Sequence, residues 1–210
     1  MPCAAHSLAN VRKSREEMIA EVKKISDYRK EFSPQVKVET GIATAFGCTL
    51  QGLVPEDDVI WMAEQVIEAG ADESGLSDTT GYANPTQIKR LFRRLKSAIG
   101  DRAGAAHLHN TRGLGLANCL AAYEEGVTSF DSSMGGLGGC PYAPGASGNV
   151  VTEDLVFMFE AMGIQTGINL DLLFEARKPL KAGVPNEAIY GMVPAVGVTK
   201  GFVPATSWGK

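Results

Sequence analysis

The sequence has few histidines, three in all, and only four cysteines, which stand far apart. Cys3, Cys48, Cys119 and Cys140 show neither the CxxC spacing of a zinc site nor a compact disulfide framework. We therefore expect reduced thiols in a cytoplasmic protein. No apolar run approaches the roughly 20 residues of a membrane span. No basic segment followed by an apolar one marks a signal peptide.

Positive charge is also scarce. The 20 basic residues are outnumbered by 24 acidic ones, and the net charge is −4. A nucleic-acid-binding surface needs a basic face, so this class of function is not expected. The chain is 44% hydrophobic and 21% charged, which is ordinary for a globular protein. No linker or charge block divides it, so residues 1–210 are predicted to form one domain.

Strand and helix patterns alternate along the chain. Ser14 and Glu17 form a capping box at the start of a helix predicted over residues 15–31. Strands are then predicted at residues 36–46, 71–77, 103–109 and 127–131, and helices at 55–69, 84–100, 113–125 and 152–162, followed by a short helix from Asn169 and an irregular tail. This alternation implies parallel strands with right-handed crossovers. It fits either a doubly wound open sheet or part of a (β/α)8 barrel, and the pattern does not separate them.

Polar side chains follow each predicted strand, where the functional sites of both architectures lie. They are Thr44 and Cys48, residues 78–80, residues 107–110 and residues 131–133. From these we predict Thr44, Asp78 and Thr80 as substrate-binding residues. An aspartate after a strand more often serves as a turn or cap residue, and this alternative stays open for Asp78 and Asp131.

His107 and His109 are the sharpest local feature. Residues two apart on a strand face the same way. Two imidazoles on one side of a strand end can share a divalent metal ion. The alternative is a pair of solvated or core histidines without a ligand.

Residues 135–149 contain six glycines and two prolines, which excludes a helix or a strand interior. A phosphate-binding loop is disfavoured, because Glu153 and Asp154 would place negative charge at the start of the next helix. A mobile loop that carries Cys140 to an active site fits the composition better. A surface loop with an inert thiol remains the alternative.

The segment His107-Leu-His-Asn-Thr, the segment GGLGGCPYAPGASGN and the segment Thr152-Glu-Asp-Leu-Val together resemble the hydroxymethylglutaryl-CoA lyase family. The likeness extends from about His6 to Ala176. It implies an incomplete α/β TIM barrel of the (β/α)8 type with about the last four βα units. It also implies a Mg²⁺ or Mn²⁺ cofactor, an acyl-CoA substrate and cleavage of 3-hydroxy-3-methylglutaryl-CoA to acetyl-CoA and acetoacetate. Such enzymes act in leucine degradation and ketone-body formation.

The resemblance implies roles for four residues of this chain. His107, His109 and Asn149 would be metal ligands, with His107 also a proton carrier, and Cys140 would be the catalytic cysteine of the mobile loop. A lyase for a related substrate such as citramalyl-CoA is an alternative. So are a related condensing or carboxyltransferase barrel and a non-catalytic remnant.

The sequence departs from the family in several places. The family's first two strands supply an Asp ligand, an Arg and a Glu, which have no counterpart here, so we expect an N-terminally truncated lyase. Loss of one preorganised stabiliser can cost ~10²–10³ in rate. Asn110 replaces the usual Asp, and Leu108 a frequent Cys. Half a barrel would leave open edges and an uncovered apolar interior, which predicts a homo-oligomer, a dimer or larger.

Overall fold

The computed structural model describes residues 1–139 and 148–208. The chain divides into two compact units. One contains residues 1–131 and Gly139 and is called the sheet unit below; the other contains residues 132–138 and 148–208 and is called the C-terminal unit. A single domain over residues 1–210 stays a prediction.

The sheet unit alternates strands and helices, as the sequence pattern predicts. Its elements are α1 (Ala4–Val11), α2 (Arg15–Phe32), β1 (Glu39–Ile42), α3 (Glu56–Glu68), β2 (Glu73–Asp78), α4 (Pro85–Ile99), a 3₁₀ turn (Gly100–Arg102), β3 (Ala103–Leu108), α5 (Gly115–Glu124) and β4 (Phe130–Asp131). The strands form one sheet in the order β1-β2-β3-β4, and each neighbouring pair is parallel.

Local sequence signals account for the helix starts. The Ser14 hydroxyl accepts a hydrogen bond from the Glu17 amide while the Glu17 carboxylate accepts one from the Ser14 amide, so the predicted capping box is present. At α4 the Asn84 side chain accepts from the Gln87 amide, and Pro85 occupies the first helical position.

One face of the sheet packs under the helices. Leu76 of β2 and Ala106 of β3 are fully buried there. Helix α4 contributes a buried stripe at helical spacing, formed by Ile88, Leu91, Phe92, Leu95 and Ile99. Burial of such side chains stabilises each by about 1.5–3 kcal/mol, which fixes the strand register on which the polar strand ends depend.

The other face of the sheet carries small and acidic residues. A shallow cavity over it is lined by Glu39, Thr40, Gly41, Glu73, Gly75, Ser77, Gly104, Ala105, His107 and Asp131. A Cβ atom on Gly75 would lie 2.1 Å from the Ala105 carbonyl oxygen, so only glycine fits at this position. Half a barrel was expected to leave an apolar interior uncovered. This face carries polar and small residues in its place.

Some elements of the sheet unit differ from the sequence predictions. Strand β1 ends at Ile42 rather than at Phe46, because Thr44 turns the chain with a φ of +57°. Strand β4 contains only two residues. Helix α1 was not predicted, since its first turn has no acidic residue and its N-cap is the unusual Cys3.

The C-terminal unit is helical. It contains α6 (Thr152–Ala161), α7 (Leu170–Gly183) and α8 (Met192–Val196), with 3₁₀ turns at Met134–Gly136 and Ala205–Ser207. The helix predicted from Asn169 is present as α7, which Asn169 caps by accepting from the Leu172 amide, but it runs for 14 residues rather than being short. No helix in the described part of the chain is long and apolar enough to cross a membrane.

Candidate active site

Strand β3 brings the two predicted histidines together. His107 lies within the strand and His109 follows its last residue, and their ring centroids are 5.3 Å apart. The two side chains lie on the same side of the chain because residues alternate along a strand. His109 is 5% exposed, whereas 37% of the His107 side chain is exposed.

Burial sets the charge state of His109. Desolvation, with a smaller contribution from the nearby His107, lowers the pKa of His109 to about 4. The imidazole is therefore neutral near pH 7, which is the form that binds metal ions. Its Nδ1 atom is buried and has no hydrogen-bond partner among the described residues. An unpaired buried nitrogen is costly, and a metal ion would resolve it.

Asp131 stands beside the more exposed histidine. β4 places Asp131 opposite His107 in the parallel register, and the Asp131 Oδ2 atom lies 3.6 Å from His107 Nδ1. This carboxylate faces the imidazole rather than capping a turn. At this distance the carboxylate can bias the orientation of the imidazole ring.

Asn149, the third predicted metal ligand, belongs to the C-terminal unit. Its Nδ2 atom donates to the Leu137 carbonyl oxygen at 2.8 Å, while its Oδ1 atom is buried without a partner. A Cβ on Gly138 would lie 2.4 Å from Asn149 Nδ2, and Gly138 has a φ of +123°. Glycine at position 138 is thus what allows the amide of Asn149 to lie in this place.

In the described residues, acidic, cysteine and histidine side chains do not by themselves form a complete metal site. Among the described residues, no three His, Cys, Asp or Glu side chains are grouped so that they could hold a metal ion. Metal binding by His107 and His109 therefore stays a prediction. Cys140, the predicted catalytic cysteine, and the centre of its loop lie outside the described residues.

Asp78 is occupied as a turn cap. Its Oδ1 accepts from the Tyr82 amide at 2.9 Å and its Oδ2 from the Ala83 amide at 3.1 Å. Burial raises the pKa of Asp78 to about 6, although these hydrogen bonds act in the opposite direction. The carboxylate is fully buried. The structure thus gives Asp78 the cap role, and substrate binding by this residue stays a prediction.

Thr80 and Thr44 are also buried. The Thr80 hydroxyl donates to the Gly47 carbonyl oxygen at 3.0 Å, and the Thr44 amide donates to the Thr79 hydroxyl at 3.0 Å. These bonds tie the loop after β1 to the loop after β2. The Thr44 hydroxyl has no hydrogen-bond partner among the described residues. Of these two threonines, Thr44 is therefore the one whose hydroxyl is available to a ligand.

Asn110, which replaces the family's usual aspartate, has a structural role. Its Oδ1 accepts from the Gly115 amide at 2.9 Å at the start of α5. An amide oxygen serves this purpose as well as a carboxylate does, because the bond needs only an acceptor.

Sequence reasoning missed the function of two acids in the C-terminal unit. Glu153 is fully buried, accepts from the Gly135 amide at 3.0 Å and forms an ion pair with Arg177. Asp154 accepts from the Met192 and Val193 amides at the start of α8.

These two acids do more than complete the first turn of a helix. Thr152 is the first residue of α6 rather than its N-cap, and Val151 at the N-cap position makes no side-chain cap hydrogen bond. In the sequence, an acidic pair at the start of a helix looks the same whether the acids only complete the first turn or also bind groups elsewhere in the chain. Thr152 instead exchanges a hydroxyl hydrogen bond with Ser132 at 2.8 Å.

Comparison with known proteins decides the family. A family model described as HMGL-like matches residues 2–179. The chain belongs to the HMGL-like family. The resemblance seen in the sequence is confirmed, and the four-stranded parallel sheet is part of a TIM barrel rather than of a doubly wound sheet.

Individual relatives of this HMGL-like chain include two lyases. The (R)-citramalyl-CoA lyase of Chloroflexus aurantiacus is 46% identical over 152 residues, which are 71% of this chain and 48% of that protein. The hydroxymethylglutaryl-CoA lyase of Bacillus subtilis is 40% identical over 173 residues, which are 82% of this chain and 57% of that protein.

A solved structure supports the same relationship. The HMG-CoA lyase of Acinetobacter baumannii, in complex with coenzyme A and 3-methylmalate, superposes with a TM-score of 0.87 at 39% identity. The match covers 97% of this chain and 65% of that one. The chain spans about half the length of the curated relatives it matches.

Proposed function

We propose that this chain carries the histidine-bearing half of a divalent-metal-dependent lyase that cleaves 3-hydroxy-3-methylglutaryl-CoA to acetyl-CoA and acetoacetate. The observation that carries the proposal is the neutral, buried His109, with its unpartnered Nδ1, beside His107 at the end of a barrel strand. Membership of a family that includes such lyases supports the choice of reaction. We further propose a cytoplasmic location and a homo-oligomer.

We propose that His107, His109 and Asn149 hold Mg²⁺ or Mn²⁺. Imidazole nitrogens and amide oxygens are donor types that suit Mn²⁺, and Mg²⁺ accepts the oxygen donors. When bound, the ion supplies positive charge that lowers the pKa of the substrate's tertiary hydroxyl group and orients the substrate.

The chain's own residues would handle the protons. Cleavage requires removal of the hydroxyl proton, breakage of the C2–C3 bond and protonation of the thioester enolate that leaves. His107 is the candidate for the first transfer, because 37% of its side chain is exposed and the Asp131 carboxylate lies 3.6 Å from its Nδ1 atom. Cys140 is the candidate acid for the enolate.

A citramalyl-CoA lyase activity is the second candidate, favoured by the 46% identity to such an enzyme. The two substrates share the acetyl-CoA half and the tertiary alcohol. They differ by one methylene in the acid arm, and a methylene alters binding in a pocket by only about 1–3 kcal/mol. The same residues can therefore serve either reaction, which would yield acetoacetate from one substrate and pyruvate from the other.

Activity is tested by product release. The purified chain is incubated with each thioester, with Mg²⁺ or with excess chelator, and acetoacetate and pyruvate are measured. Metal-dependent release that is lost in Cys140→Ala supports the lyase, and the product identifies the acyl group. No release from a folded chain means that the catalytic Asp and Arg of the family are indispensable, and the chain by itself is then a non-catalytic remnant.

Metal binding is tested separately, by titration of Mn²⁺ observed through its electron paramagnetic resonance. His109→Ala is expected to weaken Mn²⁺ binding at least tenfold, the usual minimum for loss of one ligand or its support. Glu64→Gln is the control, because Glu64 is an exposed acid on α3. Equal binding by the native chain and His109→Ala would contradict the proposed ligand set.

A further inference from the structure

Two cysteines that lie 45 residues apart in the sequence meet inside the sheet unit. The Cys3 thiol donates to Cys48 Sγ at a sulfur–sulfur distance of 2.9 Å, and both residues have no exposed surface. A disulfide has its sulfurs about 2.05 Å apart, so a bond requires a shift of less than about 1 Å. In the described part of the chain, this is the one pair of cysteines in such contact.

Both sulfurs are held by regular structure. Cys3 is the N-cap of α1, and its sulfur accepts from the His6 amide at 3.4 Å. Cys48 closes a tight loop with Gly52 through two backbone hydrogen bonds of 2.8 and 2.7 Å. The Leu50 amide also donates to Cys48 Sγ. The contact therefore joins two ordered elements, with Gln51 Oε1 as the second acceptor for the Cys3 thiol at 3.3 Å.

We propose that Cys3 and Cys48 are a modification site, an oxidisable dithiol that forms an intrachain disulfide. The two thiols lose two protons and two electrons as the S–S bond forms. The oxidant is hydrogen peroxide, which is reduced to two molecules of water, or a low-molecular-weight disulfide, which is reduced to two thiols. A reducing dithiol reverses the step by thiol–disulfide exchange.

Burial makes the reduced pair slow to react. Desolvation, and then the hydrogen bond with Cys48, raises the pKa of Cys3 to about 11, which suppresses the reactive thiolate. Oxidation therefore proceeds through opening of the eight-residue helix α1. Once α1 closes again, the second sulfur is already within reach, so the disulfide forms in preference to a mixed disulfide.

The bond would stiffen the edge of the candidate active site. Two side chains donate hydrogen bonds to the loop that holds Cys48. The Thr80 hydroxyl donates to the Gly47 carbonyl oxygen, and the Gln87 amide donates to the Phe46 carbonyl oxygen. A disulfide would add a covalent tie from this loop to α1. Closing a ring of this size restricts the unfolded chain, so we expect the melting temperature to rise by roughly 5–10 °C.

The positions of lysine and arginine make the test direct. Trypsin places Cys3 in the peptide 1–12, Cys48 in the peptide 38–89, and Cys119 and Cys140 together in the peptide 113–177. The folded chain is treated with oxidised glutathione or hydrogen peroxide, blocked with N-ethylmaleimide and digested without reduction. We expect the linked pair of peptides 1–12 and 38–89 to exceed every other cysteine linkage at least tenfold, and to disappear after reduction.

Cys119→Ser is the matched control, since Cys119 is equally buried and desolvation raises its pKa to about 12. This variant should keep both the linked peptides and the rise in melting temperature. Cys3→Ser and Cys48→Ser should lose both. The linked peptides are measured in the native chain, so this result does not depend on whether the variants fold. The proposal is overturned if folded chain yields Cys3 and Cys48 separately blocked, or the same mixture of linkages as chain oxidised in urea.

Discussion

The carboxylate of Glu160 accepts hydrogen bonds from both the amide and the hydroxyl of Thr206, which lies 46 residues further along the chain. Thr166 donates to the same carboxylate through its amide at 2.7 Å and its hydroxyl at 2.6 Å. Glu160 is fully buried in the C-terminal unit. One carboxylate therefore ties the turn after α6 and the end of the chain to helix α6.

This arrangement predicts acid-sensitive packing of the C-terminal unit. Burial acts to raise the pKa of Glu160, but the bonds from Thr166 and Thr206 together outweigh it and lower the pKa to about 2. The folded value is below the unfolded one of 4.5, so the stabilisation is full above pH 4.5 and is lost as pH falls toward 2. Glu160→Gln should lower the free energy of unfolding by about 2 kcal/mol at pH 7 and remove this dependence, as measured by urea denaturation.

Glu175→Gln is the control for that measurement. Glu175 lies on α7 with 64% of its side chain exposed, in a surface ion pair with Lys178. Such pairs contribute about 0–1 kcal/mol. A control as destabilised as Glu160→Gln would show that carboxylate number, and not the Thr206 contacts, sets the acid response.

Asp78 predicts the opposite dependence in the sheet unit. Its folded pKa of about 6 is above the ordinary value of 3.8 for an aspartate, so the folded state prefers the protonated acid. Stability from this group is full below pH 3.8 and declines as pH rises through 6. Asp78→Asn should flatten the pH profile of unfolding between pH 4 and 6, measured by hydrogen exchange of the Tyr82 and Ala83 amides. A profile that stays unchanged in the variant would contradict the assignment.

The alternation of strands and helices after residue 14 could be read from the sequence because its signals are local. The capping box at Ser14, Asn84 before Pro85 and the apolar stripe of α4 each act within a few residues. The pairing of His107 with His109 followed from strand periodicity alone.

Long-range contacts could not be read in this way. The meeting of Cys3 with Cys48, and of Glu160 with Thr206, depends on tertiary packing between segments about 45 residues apart. The early end of β1 depends on Thr44 adopting a positive φ, which a β-branched residue rarely does. Asp78 could have been a ligand or a cap from its sequence position, and only its two bonded amides separate these roles.

Gly138 predicts a test of how Asn149 is placed. Gly138→Ala would bring a Cβ within 2.4 Å of Asn149 Nδ2 at a residue with a φ of +123°. The amide must move, so we expect Mn²⁺ binding to weaken at least tenfold and the unfolding free energy to fall by about 1–3 kcal/mol. Gly183→Ala, at the end of α7 with no atom within 4 Å of the added Cβ, should leave Mn²⁺ binding unchanged. Equal affinity in both variants would argue against Asn149 as a ligand.

The ion pair between the buried Glu153 and the partly buried Arg177 predicts strong non-additivity. Glu153 also accepts from the Gly135 amide, and the Arg177 guanidinium also donates to the Tyr190 carbonyl oxygen at 2.9 Å. Arg177→Met leaves an uncompensated buried carboxylate, so the free energy of unfolding should fall by about 3–5 kcal/mol. Adding Glu153→Gln should recover part of this loss, because the unpaired charge is removed. Denaturant unfolding of the two single variants and the double variant gives the coupling energy, expected at about 1–3 kcal/mol. Strict additivity would mean that Arg177 does not stabilise the Glu153 carboxylate, and that any loss in Arg177→Met comes from its other contact, with the Tyr190 carbonyl oxygen.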